Sequence, residues 1–258
     1  MPRPFAPEGA PGPFRPLPSL QGFDNGLRFV LHSAGKPAMQ EHAIQTGRLR
    51  HVIWDWNGTL LDDVTACVTA INHMLARRGL EGIDTERYRD VFEFPVKRYY
   101  RTLGFDLDAE DWDAMAREFH ELYEAGARSC DLRAGARACI EQLRARGIDG
   151  SVLSASERSI LTRMLQQRGL AGVFRHVAGL TDLYAHSKLE TGRALLEQIG
   201  DPRQSIILVG DTSHDYEVAA ALGCRCVLIE GGHQSPRRLR QCDCPVIPSI
   251  EDLAPLMA

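Results

Sequence analysis

Lysine is nearly absent from this chain: Lys36, Lys97 and Lys188 are the only three in 258 residues, the other basic side chains being arginine. Positive charge is not in excess, since the formal net charge is −4. The basic face that a nucleic-acid or anionic-membrane partner would require is therefore not expected. No apolar run reaches the ~18 residues that span a bilayer, and the N-terminus has no apolar segment of the kind that heads a secretory signal. Seven cysteines are an odd number and do not suggest a disulfide framework, so reduced thiols and a cytoplasmic setting are the expectation. What remains is ordinary for a folded domain, with 44% hydrophobic and 25% charged residues. The length allows one large domain, or a core with a smaller insert. A monomer or homodimer is expected.

The first 18 residues hold seven of the 14 prolines, which prevents helix and discourages strand pairing. Residues 1–46 are read as a mostly extended, poorly ordered extension with one possible short strand, Leu27 to Leu31; an over-long start is its simplest origin. From His51 the pattern changes. His51 to Trp54 is a short apolar run ending at Asp55 and followed by Gly58, which reads as a buried strand entering a tight loop. A helix is expected from about Asp63, with Val64, Cys67, Val68, Ile71 and Leu75 on one face and Gly79 at its end. Trp112, Met115, Phe119 and Leu122 mark a second. Residues 64–130 thus read as an all-helical block without strands, a plausible inserted domain.

Beyond it, helices and strands alternate. The expected strands are Gly150 to Leu153, Val173 to Val177, Ser205 to Val209, Cys226 to Ile229 and Pro245 to Ile247. Helices are expected over Ala136 to Arg146, Ser159 to Arg168, Leu189 to Ile199 and Tyr216 to Leu222, with a short one from Ile250. This alternation implies an α/β fold with a doubly wound parallel sheet, formed by 47–63 and 131–258. In such sheets ligands bind beyond the carboxyl ends of the strands. Four candidates sit there: Asp55 after the first strand, Ser154 after the second, Lys188 ahead of a later strand, and Asp211 with Asp215 in Gly210-Asp211-Thr212-Ser213-His214-Asp215. Each has a plain structural explanation, as loop cap, helix N-cap, surface lysine or dipole stabiliser. Together they would bring carboxylates, a hydroxyl and an ammonium to one rim.

The order Asp55-Trp56-Asn57-Gly58-Thr59, strand-end Ser154, Lys188, and Gly210-Asp211 to Asp215 resembles the four motifs of the haloacid dehalogenase superfamily. The match covers about residues 48–253, and the helical insert is similar to the C1 cap of its phosphoglycolate phosphatase-like branch. The resemblance implies a Rossmann-like core, Mg²⁺ as cofactor and a small phosphorylated metabolite as substrate. It also implies that Asp55 attacks phosphorus to form an aspartyl-phosphate that water hydrolyses. Mg²⁺ would be held by Asp55, the backbone carbonyl of Asn57, Asp211 and, directly or through water, Asp215. Ser154 and the backbone amides of Asn57 and Ala155 would hold phosphoryl oxygens, and Lys188 would neutralise charge.

One position departs from the pattern. Family phosphatases usually carry an aspartate where this chain has Asn57, serving as general acid and then base. An amide cannot exchange a proton in this way. His214 or His186 could supply the role; if instead it is vacant, Asn57→Asp is expected to raise turnover of alkyl phosphates. The departure keeps two alternatives open. One is a phosphonoacetaldehyde hydrolase-like carbon–phosphorus hydrolase, in which Lys97 would form a Schiff base. The other is a weakened relative that binds a phosphorylated metabolite without turnover. A dehalogenase fits less well, because the fourth motif keeps both carboxylates. In the phosphatase reading Lys97 is a substrate clamp, and its removal would raise KM. Finally, Cys224, Cys226, Cys242 and Cys244 form two Cys-x-Cys pairs that could bind zinc or simply fill the core.

Overall fold

Strand β1 (His51–Trp54) is buried along its whole length, as a central strand covered on both faces must be. It is the innermost element of a computed structural model that describes residues 48–180 and 188–256. The expected extension over 1–46, with its Leu27 to Leu31 strand, and His186 lie outside those residues. β1 pairs in parallel with β2 (Asp149–Glu157) on one side and β4 (Ile206–Gly210) on the other. With β3 (His176–Leu180), β5 (Arg225–Ile229) and β6 (Val246–Ile247) they form one parallel sheet of order β3-β2-β1-β4-β5-β6. The chain order reverses at β1/β4, the switch point where such folds leave a crevice.

Successive side chains along a strand point to opposite faces, and the core divides accordingly. Val52, Trp54, Val152, Ile207 and Val209 pack on one face, continuous with Cys139, Ile140 and Leu143 of α5 (Ala136–Ala145) and Leu161 and Leu165 of α6 (Arg158–Gln167). Ile53, Leu153, Ile206 and Leu208 pack on the other, against α7 (Lys188–Ile199) and α8 (Ser213–Leu222). The α/β doubly wound class expected from the alternation is the fold found. Short α9 (Pro236–Leu239) and α10 (Leu253–Leu256) close the chain.

Between β1 and α5 come four helices and no named strand: α1 (Val64–Arg77), α2 (Thr85–Val91), α3 (Val96–Thr102) and α4 (Trp112–Ala127). α2 and α3 are too short to show a period and were not separable by pattern. Asp84 caps α2 by accepting from the Arg87 N–H, and Asp111 caps α4. The chain enters and leaves this block side by side. Asp62 N–H donates to the Asp131 carbonyl at 3.0 Å, Arg133 N–H to the Leu60 carbonyl at 2.9 Å, and Leu61 bridges Leu132. The apolar side of the block (Tyr88, Tyr99, Met115, Tyr123) runs without a break into the Trp54 face of the sheet. Among the described residues no helix is long and apolar enough to cross a membrane.

Three of the sheet's strands and flanking helices depart from expectation by more than one residue. β2 continues to Glu157, with its β3 register shifting between Leu153 and Glu157, so Ser154 and Ala155 lie within the strand rather than after it. β3 starts at His176 and not at Val173, because Gly172 at φ 71° turns the chain just before. α8 starts at Ser213 rather than Tyr216, because Thr212 and Asp215 form a capping box.

His51 opens β1 fully buried, its Nε2 2.8 Å from Ser151 Oγ. Burial, opposed by Asp149 and Asp201, lowers its pKa from 6.5 to about 4. The folded protein therefore holds His51 neutral where the unfolded chain would protonate it. Its contribution to stability is complete above pH 6.5 and is lost as pH falls toward 4, at about 1.4 kcal/mol per unit. Urea titrations across this range should show a steeper acid loss for the wild type than for His51→Gln. Parallel pH profiles would remove the assignment.

Candidate active site

Two carboxylates enter the switch-point crevice from adjacent strands. Asp55 follows β1 and donates its N–H to the Val209 carbonyl at 2.9 Å, while Asp211 follows β4. Asp215 lies in the first turn of α8, where its Oδ2 accepts from Thr212 N–H at 3.0 Å and Thr212 Oγ1 at 2.7 Å. Its other oxygen is 2.6 Å from Lys188 Nζ, which also reaches Asp55 Oδ1 at 2.5 Å. All four side chains are buried. Asp215 thus caps a helix and pairs with the lysine at once, so its structural and functional readings are not exclusive.

Burial lowers the Lys188 pKa, but Asp215 and Asp55 outweigh it and hold the ammonium above its ordinary value. Burial raises Asp55 to about 8; Lys188 opposes this, and Asp215 and Asp211 add to it. Burial likewise raises Asp211, which accepts from Thr59 Oγ1 at 2.7 Å and from the His233 backbone N–H at 2.6 Å. Gly58, at φ 71°, must be glycine: a Cβ there would collide with the Asp211 carboxylate and the His233 ring. A Cβ on Gly232 would strike the same carboxylate.

Asn57 is engaged at both ends. Its Nδ2 donates to Asp63 Oδ2 at 2.7 Å and to the Tyr123 hydroxyl at 2.6 Å, while its Oδ1 accepts from Ser156 Oγ at 2.8 Å and, more weakly, from Ser154 Oγ at 3.4 Å. Asp63 also accepts from Tyr123 at 2.7 Å and from Gly58 N–H at 2.7 Å, and its Oδ1 lies 3.3 Å from His233 Nε2. Burial would raise Asp63, but the His233 charge and the Asn57 and Tyr123 hydrogen bonds hold it below the usual carboxylate range. Burial would lower His233, but Asp63 first, then Asp211 and Asp55, lift it to about 9. The site therefore buries four carboxyl groups against two cationic groups; ionising all four would leave two negative charges without a partner charge, in keeping with the raised pKa of Asp55 and Asp211.

That imbalance is the test of a metal. Ligand oxygens of Asp55, Asp211 and Asp215 all lie within 4.8 Å of one another, an all-oxygen set of the kind a hard divalent cation takes. One Mg²⁺ would neutralise the two uncompensated charges. Asp63, Cys67 and His233 also converge within 4.8 Å, yet there the carboxylate already accepts five hydrogen bonds or ion pairs, one of them from Cys67 itself. His233 Nδ1 already meets the Tyr88 hydroxyl at 2.9 Å. This second set is satisfied internally.

The structure gathers Asp55, Asn57, Ser154, Lys188, Asp211 and Asp215 at one rim, with Ala155 beside Ser154 on β2. Among the described residues no hydrogen bond or ion pair joins Lys97 to these groups. That side chain is exposed on α3, its ammonium 5.0 Å over the Trp112 ring. An exposed ammonium finds its favourable partner there in an aromatic face. His214 stacks on Phe94 at 4.6 Å and lies 3.4 Å from Glu217. The four Cys-x-Cys thiols do not form a metal site: among the described residues no three of them converge. Cys226 is buried in the apolar core of this face, and Cys224, Cys242 and Cys244 pack against it.

Sequence reading missed Asp63, Tyr88, Tyr123, His233 and Gln234. The signal for His233 was available, since Gly231-Gly232-His233 follows the end of β5, a strand end like the others. Asp63 was read only as a helix start.

These contacts also reverse the expectation for Asn57→Asp. A carboxylate at 57 would lose both donated hydrogen bonds and face Asp63 with like charge in a buried site. A single buried unsatisfied group costs about 1–3 kcal/mol. Asn57→Asp alone should lower the melting temperature and not raise turnover, whereas Asn57→Asp with Asp63→Asn should recover most of the stability; additive effects in thermal melts would refute the pairing. Lys97→Ala should leave KM unchanged, and a raised KM would return Lys97 to the site.

Residues 52–229 match the family model described as haloacid dehalogenase-like hydrolase. A phosphoglycolate phosphatase of Pseudomonas fluorescens is 25% identical over 204 residues, covering 76% of this chain and 75% of the relative. A Mycobacterium tuberculosis protein named tyrosine-protein kinase PtkA is 26% identical over 183 residues, covering 70% of this chain and 62% of that protein. A solved haloacid dehalogenase-like family hydrolase of Streptococcus pneumoniae superposes with TM-score 0.72 at 16% identity, over 82% of this chain and 99% of that one. With the family model spanning more than half its length, this chain belongs to the haloacid dehalogenase-like hydrolases.

Proposed function

We propose that this hydrolase is a Mg²⁺-dependent phosphatase that cleaves a small phosphorylated metabolite through an aspartyl-phosphate on Asp55. The observation that carries the reading is the rim itself, where Asp55 and Asp215 hold one buried lysine and Asp211 converges on the same two carboxylates. The relatives named phosphoglycolate phosphatase support the same class. The relative named a tyrosine-protein kinase shows that a name alone does not choose the reaction.

In the proposed cycle an Asp55 carboxylate oxygen attacks phosphorus. The bond from phosphorus to the ester oxygen breaks, and its electron pair leaves with that oxygen, which takes a proton from water. A second water then adds to phosphorus, the bond to Asp55 breaks, and inorganic phosphate departs. Lys188 neutralises charge on the nucleophile and on the group in transfer. Ser154 and the backbone amides of Asn57 and Ala155 hold phosphoryl oxygens. Asp55, Asp211, the Asn57 carbonyl and Asp215 would hold Mg²⁺, which would supply the charge neutralisation that lets an anion approach a dianion. Residues 64–130 act as a cap that keeps bulk water from the rim.

Asn57 adds a constraint on the substrate. Its amide is held at both ends and offers no proton to a leaving group. General acid catalysis is typically worth ~10²–10⁴-fold, so esters whose leaving oxygen departs without protonation, such as aryl phosphates, should turn over faster than alkyl phosphates by a gap of that order. The measurement is Mg²⁺-dependent kcat on both classes, with acid-quench trapping of phosphoprotein. Asp55→Asn should abolish both turnover and trapped phosphate while keeping the fold. Phosphoprotein persisting in Asp55→Asn, or equal rates for the two ester classes, would overturn the corresponding part of the proposal.

A further inference from the structure

One loop touches both the rim and the helical block. It runs from Glu230 to Ser235, between β5 and α9. On the rim side, His233 N–H donates to Asp211 Oδ2 at 2.6 Å, and Gln234 Oε1 accepts from Ser213 N–H, the first residue of α8, at 2.7 Å. On the other side, His233 Nδ1 lies 2.9 Å from the Tyr88 hydroxyl, and Gln234 Nε2 donates to the Phe92 carbonyl at 2.9 Å. Both residues are buried, Gln234 completely. Two consecutive residues, His233 through its backbone N–H and its ring and Gln234 through both ends of its amide, therefore each hold one group of the fourth motif and one group of the α2 segment.

The same segment is fastened to the loop's backbone. Arg89 donates to the Gly232 and Gly231 carbonyls at 2.8 and 2.7 Å, and Ser235 N–H donates to the Arg89 carbonyl at 3.1 Å. The rim side has equally little slack, since Gly232 lies too close to Asp211 to carry a Cβ. A shift of the α2 segment would draw on His233 and Gln234, and these on the Asp211 carboxylate and the start of α8. Arg238 differs: it donates to the Asp90 carbonyl at 2.9 Å from α9, outside the loop.

We propose that His233 and Gln234 are positioning residues that couple the seating of the helical cap to the placement of Asp211, so that metal binding and cap closure strengthen one another. This rests on the reading of the rim as a metal site. Coupling of this kind is reciprocal by linkage and typically amounts to roughly 5–150-fold in affinity. It would tie the closed, water-excluding state of the site to the occupied one.

The test uses substitutions that cut only the cap half of each link. Tyr88→Phe removes the hydroxyl that meets His233. Gln234→Glu keeps the acceptor for Ser213 N–H but loses the donor to Phe92. Mn²⁺ affinity measured by electron paramagnetic resonance should fall at least about fivefold in each, although neither substitution removes a rim group and the carboxylate that Gln234→Glu adds would by itself favour a cation. Arg238→Ala, which loosens the same segment without a rim link, should leave Mn²⁺ affinity unchanged. In the wild type, Mg²⁺ should slow amide exchange over residues 85–95, an arm that needs no variant to fold. Wild-type affinity in both cap-side variants, or exchange over 85–95 indifferent to Mg²⁺, would overturn the coupling while leaving the rim reading intact. Failure of the wild-type protein to bind Mn²⁺, or binding that survives Asp211→Asn, would overturn the rim reading and the coupling with it.

Discussion

Four carboxylates and two cationic groups share one buried crevice, and this charge imbalance governs the rest of the molecule. An isolated carboxylate removed from water is costly, and here Asp55, Asp63, Asp211 and Asp215 are removed together. Each is held by a dense set of donors: Lys188 for Asp55 and Asp215, Thr59 and the His233 amide for Asp211, and Asn57, Tyr123, Gly58 and His233 for Asp63. Removing one partner from such an arrangement leaves an uncompensated buried charge, which is far more damaging than the intact set is stabilising. The sheet, the switch point and the Thr212–Asp215 cap deliver these groups to one place.

The site has two layers with different chemistry. The Asp55–Lys188–Asp215–Asp211 layer is acidic beyond its own cations and faces the crevice at the ends of β1 and β4. The Asp63–His233–Asn57–Tyr123–Tyr88 layer is closed on itself, with every polar contact answered from within the protein. Asn57 belongs to both, by its place in the loop after the nucleophile and by its amide, which the second layer holds. A neutral side chain at 57 and a carboxylate at 63 are complementary choices. The presence of one explains the identity of the other.

Much of this was legible in the sequence because it obeys local rules. The apolar runs at Val52 to Trp54 and Ile206 to Val209 could only be buried parallel strands, and Asp55 and Asp211 follow from where those runs stop. The exposed position of Lys97 was not legible, because its contact with Trp112 joins two helices 15 positions apart along the chain. The same holds for Asp63, whose partners Tyr123 and His233 come from α4 and from the loop after β5. Short α2 and α3 carried no period long enough to separate. What escaped sequence reading was the pairing of side chains across the block and the sheet, which strand periodicity does not encode.

The glycine approach to Asp211 has a consequence for how this chain can drift. Gly58 and Gly232 come at the same carboxylate along two separate loops, and neither leaves room for a single added carbon. An alanine at either place would change no ionisable group, no hydrogen-bond donor and no predicted charge, yet it would push the rim aspartate out of register with its neighbours. The positions least tolerant of substitution thus include two that carry no chemistry of their own, and an inactive natural variant of this protein can retain every residue of its catalytic inventory.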